Sequence, residues 1–174
     1  MANTYSLISR ITVGSTPSLN LTFINIPQTY TDLLIRFSIK GAGTSTPTAK
    51  LSINGSTSLV TGKGIEAYGS AGSGTTAASI SNGAYVVYNS TSQTSNTFTS
   101  TDVYISSYAN QLFKAIASES AMENNNTGES DWRGLFGLMY ASTNPVTSVG
   151  LLANAGTEFT QYSSASLYGI KAEI

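Results

Sequence analysis

Apolar and polar residues alternate along most of this chain with a period of two. In "TDLLIRFSIKG" (31–41), Leu33, Ile35, Phe37 and Ile39 share one face, while Leu34, Arg36, Ser38 and Lys40 share the other. That pattern predicts a strand with one face in a core and Arg36 and Lys40 on the wet side. "SLNLTFINIP" (18–27) repeats it with Leu19, Leu21 and Phe23, and Pro27 ends the run because proline cannot donate to a ladder. "TYSLISRITV" (4–13) places Tyr5, Leu7, Ile11 and Val13 on one side. Further strands are predicted in "AKLSING", "GAYVVYN", "FTSTDVYISSY", "QLFKAIASES", "VTSVGLLAN" and "ASLYGIKAEI". "RGLFGLMYAS" (133–142) is more continuously apolar, which predicts a central strand covered on both faces.

Helical spacing is nearly absent. "QLFKAIASESAME" can be written as a helix, yet its neighbours alternate at period two and the chain is rich in Thr, Tyr and Val, so a strand is expected there too. Asn54-Gly55 and Asn82-Gly83 are two-residue turn signals. Gly169, inside the last strand, predicts close approach by a neighbouring group. The result is one all-β domain spanning 1–174: an antiparallel sandwich of roughly eight to eleven strands. The stretch at about 62–84, rich in Gly and Ser, reads as one long loop, and "GAGTSTPT" and "ENNNTGESD" as shorter ones.

Composition narrows the chemistry. Charged residues are 10% of 174, while Ser and Thr exceed a quarter, and the net charge is −1. A surface this weakly charged has no reach for a phosphate backbone, so nucleic acid is not an expected partner. It also provides little repulsion between copies, which favours association. There is no Cys and no His, which removes disulfides, thiolate and imidazole metal sites, and the usual neutral-pH base. No apolar run reaches membrane-helix length and the N-terminus has no leader pattern, so no membrane partner is expected and synthesis in a cytoplasm is.

Candidate chemistry is sparse. Glu119, Glu123, Glu129 and Asp131 cluster in sequence, and two of them could flank a sugar bond, but a solvated loop is the simpler reading. "ENNNTGESD" has alternating oxygen ligands, yet the position for a bidentate Glu falls on Gly134. No catalytic residue, cofactor or metal is assigned. The residues singled out as interface candidates are Tyr5, Tyr30, Tyr68, Tyr108, Trp132 and Arg133. Tyr30, Tyr68 and Tyr108 are predicted on loops, and Trp132 is divided between a core plug and a contact for a partner or a sugar ring.

"SLNLTFINIPQTYTDLLIRFSIKG", "KLSINGSTS", "TFTSTDVYISSYAN" and the C-terminal "GTEFTQYSSASLYGIKAEI" resemble small virion structural proteins, decoration- or fibre-like, of tailed phages infecting marine bacteria. The resemblance covers most of the chain and is weaker over 60–95. It implies a jelly-roll sandwich and a non-enzymatic role, carries no catalytic residues, and places the protein in the virion after assembly in the host cytoplasm. A capsid-surface decoration, cement or head-fibre protein is expected, bound to the major capsid protein or other virion proteins and to itself, with a trimer as the favoured homo-oligomer. The alternative is a tail-associated module that recognises a host surface glycan.

Overall fold

The computed structural model describes residues 5–43, 48–68, 75–81, 83, 85–87, 94–122, 132–154 and 156–171. Among them the chain forms twelve strands and no helix. They are β1 (Tyr5–Thr12), β2 (Asn20–Phe23), β3 (Asp32–Ile39), β4 (Thr48–Ile53), β5 (Val60–Tyr68), β6 (Thr75–Ile80), β7 (Tyr85–Val87), β8 (Thr99–Ile105), β9 (Lys114–Ala121), β10 (Trp132–Tyr140), β11 (Val149–Ala153) and β12 (Ser164–Ile170). All pair antiparallel, in an eight-stranded sheet ordered β1-β12-β3-β8-β9-β10-β5-β6 and a four-stranded sheet ordered β2-β11-β4-β7.

Setting aside the hairpins β5–β6 and β9–β10, the other eight strands pair first with last. β1 meets β12, β2 meets β11, β3 meets β8 and β4 meets β7. One long hairpin rolled onto itself gives this order, which is the jelly roll. The two extra hairpins continue the larger sheet beyond β8. The core lies between the sheets. Leu33, Ile35, Phe37 and Ile39 of β3 are buried, as the alternation predicts, together with Leu21, Phe23, Leu51, Ile53, Val149, Leu151 and Leu167.

Several expectations need correction. The stretch read as a loop at about 62–84 holds β5 and β6, which brings the strand number above the expected range. Gly62 and Gly64 of β5 mark tight packing within a strand. Gly64 lies opposite Phe136, and a Cβ on Gly64 would fall 2.2 Å from the Phe136 ring. β10 is covered on one face, not both: Trp132, Phe136, Leu138 and Tyr140 are buried, while Arg133, Leu135, Gly137 and Met139 face outward. In β1 an irregularity between Leu7 and Ser9 switches the faces, so Tyr5 and Leu7 are exposed while Val13 enters the core. Lys40 is buried rather than wet. Its ammonium donates to the Thr94 carbonyl at 2.8 Å, and burial holds its pKa below the ordinary lysine value.

Local signals succeed elsewhere. Asn54 and Gly55 adopt φ of 50° and 76°, closing a two-residue turn between Ile53 and Ser56. The chain then leaves for the other sheet, and the Asn54 side chain fastens the segment before β11. Its amide donates to the Pro145 carbonyl at 2.9 Å, and its carbonyl accepts from the backbone N–H groups of Thr147 and Ser148 at 2.8 and 3.1 Å. Gly169 is approached by the Tyr30 ring, whose Cγ would lie 2.3 Å from a Cβ at that position.

Candidate functional site

The outer face of the eight-stranded sheet, turned away from the smaller sheet, is the surface with the most chemistry. Antiparallel register carries side chains across it in rows. One row reads Ser166, Arg36, Asp102, Glu119, Leu135 and Ile65. The row beside it reads Tyr168, Leu34, Tyr104, Ala117, Gly137 and Lys63. The relief follows from residue size. β9 presents Ala115, Ala117 and Ala121 outward, with Glu119 the one long side chain among them. Leu34 and Tyr104 rise on one side of this strand, and Leu135 and Ile65 on the other. The trough between them has a volume of about 500 Å³ over its Ile65–Asp102–Leu135 end, and a second depression of similar size adjoins it at Tyr104 and Gly137. Leu135 and Ile65 are 54% and 50% exposed, high for large aliphatic residues on a sheet.

Asp102 and Glu119 sit directly opposite each other on β8 and β9. Arg36 engages Asp102 with its Nε and Nη2, each 3.1 Å from Oδ2, and this pairing raises the Arg36 pKa. The Arg36 side chain is 63% exposed, so the pair adds little stability. Tyr104 donates its hydroxyl to Asp32 at 2.7 Å, and Asp32 also accepts from the Ser107 backbone N–H at 2.7 Å. The hydrogen bond to Asp32, then burial, push the Tyr104 pKa up to about 12. One carboxylate of the central pair is thus held by a guanidinium, and no thiol or imidazole exists to act as nucleophile or base. Among the described residues no group of three acidic side chains could hold a metal ion. The trough has apolar walls, a small-residue floor and a few fixed charges.

The six residues singled out from sequence do not form one site. Tyr5 is exposed on the outer face of edge strand β1. Arg133 is exposed on β10, opposite Ala67 and Ala121, at the trough's end. Five strand steps, or roughly 24 Å, separate those two strands. Trp132 is 1% exposed, stacks on Phe136 with centroids 6.1 Å apart, and lies 3.4 Å through Nε1 from Glu66 Oε2. It is a core plug. Tyr108 is buried as well and donates its hydroxyl to the Pro27 carbonyl, tying the β8–β9 turn to the β2–β3 loop. Tyr30 is half-buried over Gly169, with Lys171 Nζ 5.9 Å from its ring centre. Tyr68 ends β5, paired with Trp132, and its side chain lies outside the described residues. Glu123, Glu129 and Asp131 of the acidic run also lie outside them, as does "ENNNTGESD".

Leu135, Ile65 and Asp102 line the trough without having been singled out in the sequence, and Glu119 beside them was weighed there only as part of the acidic cluster. The usable signal was parity: in "WRGLFGLMY", Trp132, Phe136, Leu138 and Tyr140 share one side, while Arg133 shares the other with Leu135 and Met139. No protein-family profile matches this chain, and neither a curated protein nor a solved structure matches it.

Proposed function

We propose that this protein is a non-enzymatic virion component of a tailed phage, a decoration, cement or head-fibre protein that attaches to the shell and to other copies of itself. The observation that carries the reading is the outer face of the larger sheet, where among the described residues Leu135, Ile65 and Met139 stand exposed. Exposed apolar patches of this kind mark protein contact sites. Leu7, Leu34, Tyr104, Leu135, Ile65 and Met139 stand on this face, while the opposite side of the same strands gives Leu33, Ile35, Val103, Phe136 and Leu138 to the core. The jelly-roll order supports the reading by analogy, since the architecture serves in viral capsid proteins as well as in lectins. Low charge agrees with it, because an assembly protein gains nothing from long-range repulsion. The resemblance of 18–41, 50–58, 97–110 and 156–174 to phage structural proteins points the same way.

A glycan-binding module of the tail is the weaker reading, because its main stacking platform, Trp132, is inside the core. Quantitative mass spectrometry of purified particles tests the proposal. Hundreds of copies per particle are expected for a shell component. Absence from the particle, or only about a dozen copies, would remove the shell assignment.

A further inference from the structure

We infer that the polar half of the large sheet's outer face, over β1, β12, β3 and β8, is a binding site for a neutral glycan. The inference goes beyond the proposed function and does not depend on it, since a shell protein and a tail protein can each carry a sugar site. Chemistry divides the face in two. Leu135, Ile65 and Met139 stand exposed on the side of β10 and β5, whereas hydroxyls, balanced charges and a tyrosine ring occupy the other side.

Three rows of side chains cross these four strands. The first is Thr12, Ser164, Ser38 and Ser100. The second is Arg10, Ser166, Arg36 and Asp102, with Glu119 continuing it on β9. The third is Leu7, Tyr168, Leu34 and Tyr104. Adjacent strands lie about 4.8 Å apart and adjacent rows about 6.7 Å, so the patch measures roughly 14 by 13 Å, enough for a short oligosaccharide. Because the serines are short and Arg36, Glu119 and Tyr168 are long, a depression of about 530 Å³ opens among them.

Each row supplies something a sugar requires. A serine hydroxyl both donates and accepts, as a sugar hydroxyl does. Among the described residues the hydroxyls of Ser38, Ser100, Ser164 and Ser166 have no hydrogen-bond partner, and all four line the depression. Arg36 meets Asp102 through Nε and Nη2 on the single oxygen Oδ2. That contact orients both groups and leaves three guanidinium N–H donors and Oδ1 for a ligand. The Tyr168 ring is half-exposed at the depression's edge, where the C–H face of a sugar can stack on it.

Charge selects an uncharged ligand. Arg10 and Arg36 balance Asp102 and Glu119, so the second row carries no net charge. A uronate or phosphate would meet the carboxylate of Glu119, and a polycation would meet Arg10, whereas a neutral polyhydroxyl chain meets neither penalty. A few placed polar groups beside an apolar wall is the usual lining of a small-ligand site, and jelly rolls serve in lectins as well as in capsids.

The test is binding by the full-length chain to neutral oligosaccharides of glucose, galactose, mannose and N-acetylglucosamine, followed by saturation-transfer NMR and calorimetry. An oligogalacturonate of the same length is the anionic comparison. At least one neutral chain should bind with a Kd below ~1 mM, and the oligogalacturonate about tenfold more weakly or worse. Tyr168→Ala should weaken binding about tenfold. Ser38→Trp fills the floor of the depression from an exposed position and should do the same with an unchanged melting temperature. Ile24→Ser, on the exposed loop after β2, should leave binding as it is. The site is overturned if no neutral chain binds below ~1 mM, if the oligogalacturonate binds as tightly, or if binding survives Ser38→Trp. Copies per particle are counted separately, so a failed sugar titration leaves the shell assignment standing, and a low copy number leaves the sugar site standing.

Discussion

Replacing Trp132 with alanine separates a core role from a surface one. In this fold Trp132 is almost wholly enclosed, stacked on Phe136 and placed where β10 begins, with its carbonyl accepting from the Met122 backbone N–H at 2.8 Å. A buried tryptophan hides about 150–250 Å², which at ~25 cal/mol per Å² gives about 4–6 kcal/mol. Measured losses for Trp→Ala in cores run about 3–5 kcal/mol, because the site collapses only in part. We therefore expect about 4 kcal/mol, a large share of the ~5–15 kcal/mol typical of a whole domain. For a chain of this size each kcal/mol moves the melting temperature by about 2–4 °C, so the midpoint should fall by roughly 8–16 °C. Thermal unfolding followed by circular dichroism reads this directly. The wild-type chain has one tryptophan, so its fluorescence offers an independent check. Emission should be blue-shifted and resist quenching by iodide until unfolding. A midpoint that falls by less than ~2 °C, or free quenching in the native state, would refute the placement of Trp132 in the core.

Other expectations follow from single contacts. Gly64→Ala should destabilise by about 1–3 kcal/mol, because the added methyl meets the Phe136 ring and the Leu135 carbonyl. Gly137→Ala, on the open face with nothing within 4 Å of its Cβ, should be neutral or mildly stabilising, and thermal midpoints of the pair compare the two directly. Asn54→Ala removes the side-chain bonds to Pro145, Thr147 and Ser148 and should cost about 2 kcal/mol, with faster amide exchange at Thr147 and Ser148. Tyr104 has a folded pKa above its unfolded value of 10.0, so its contribution is fully present below pH 10 and is lost as pH rises towards about 12. Asp32→Asn should flatten that part of the stability profile and lower the Tyr104 titration midpoint, as followed by NMR of the tyrosine ring.

Alternation by itself settled the class of this protein. A strand puts successive side chains on opposite faces, so a period of two in "TDLLIRFSIKG" requires Leu33, Ile35, Phe37 and Ile39 to share a core, wherever that core lies. The Asn54-Gly55 turn and the tight approach at Gly169 were legible for the same reason: each depends on backbone freedom or the space around one residue. Tertiary structure decided what covers each face and which strands become neighbours. Gly62 and Gly64 read as loop residues until Leu138 and Phe136 are placed against them from a strand some seventy positions away. The apolar run of β10 reads as buried on both sides until its register shows that nothing described covers Leu135. Lys40 continues the wet face of β3 in sequence, yet the end of the sandwich closes over it and supplies the Thr94 carbonyl. Trp132 could not be assigned from its neighbours in sequence, because burial is a property of the partner surface, and that surface is assembled from residues far along the chain.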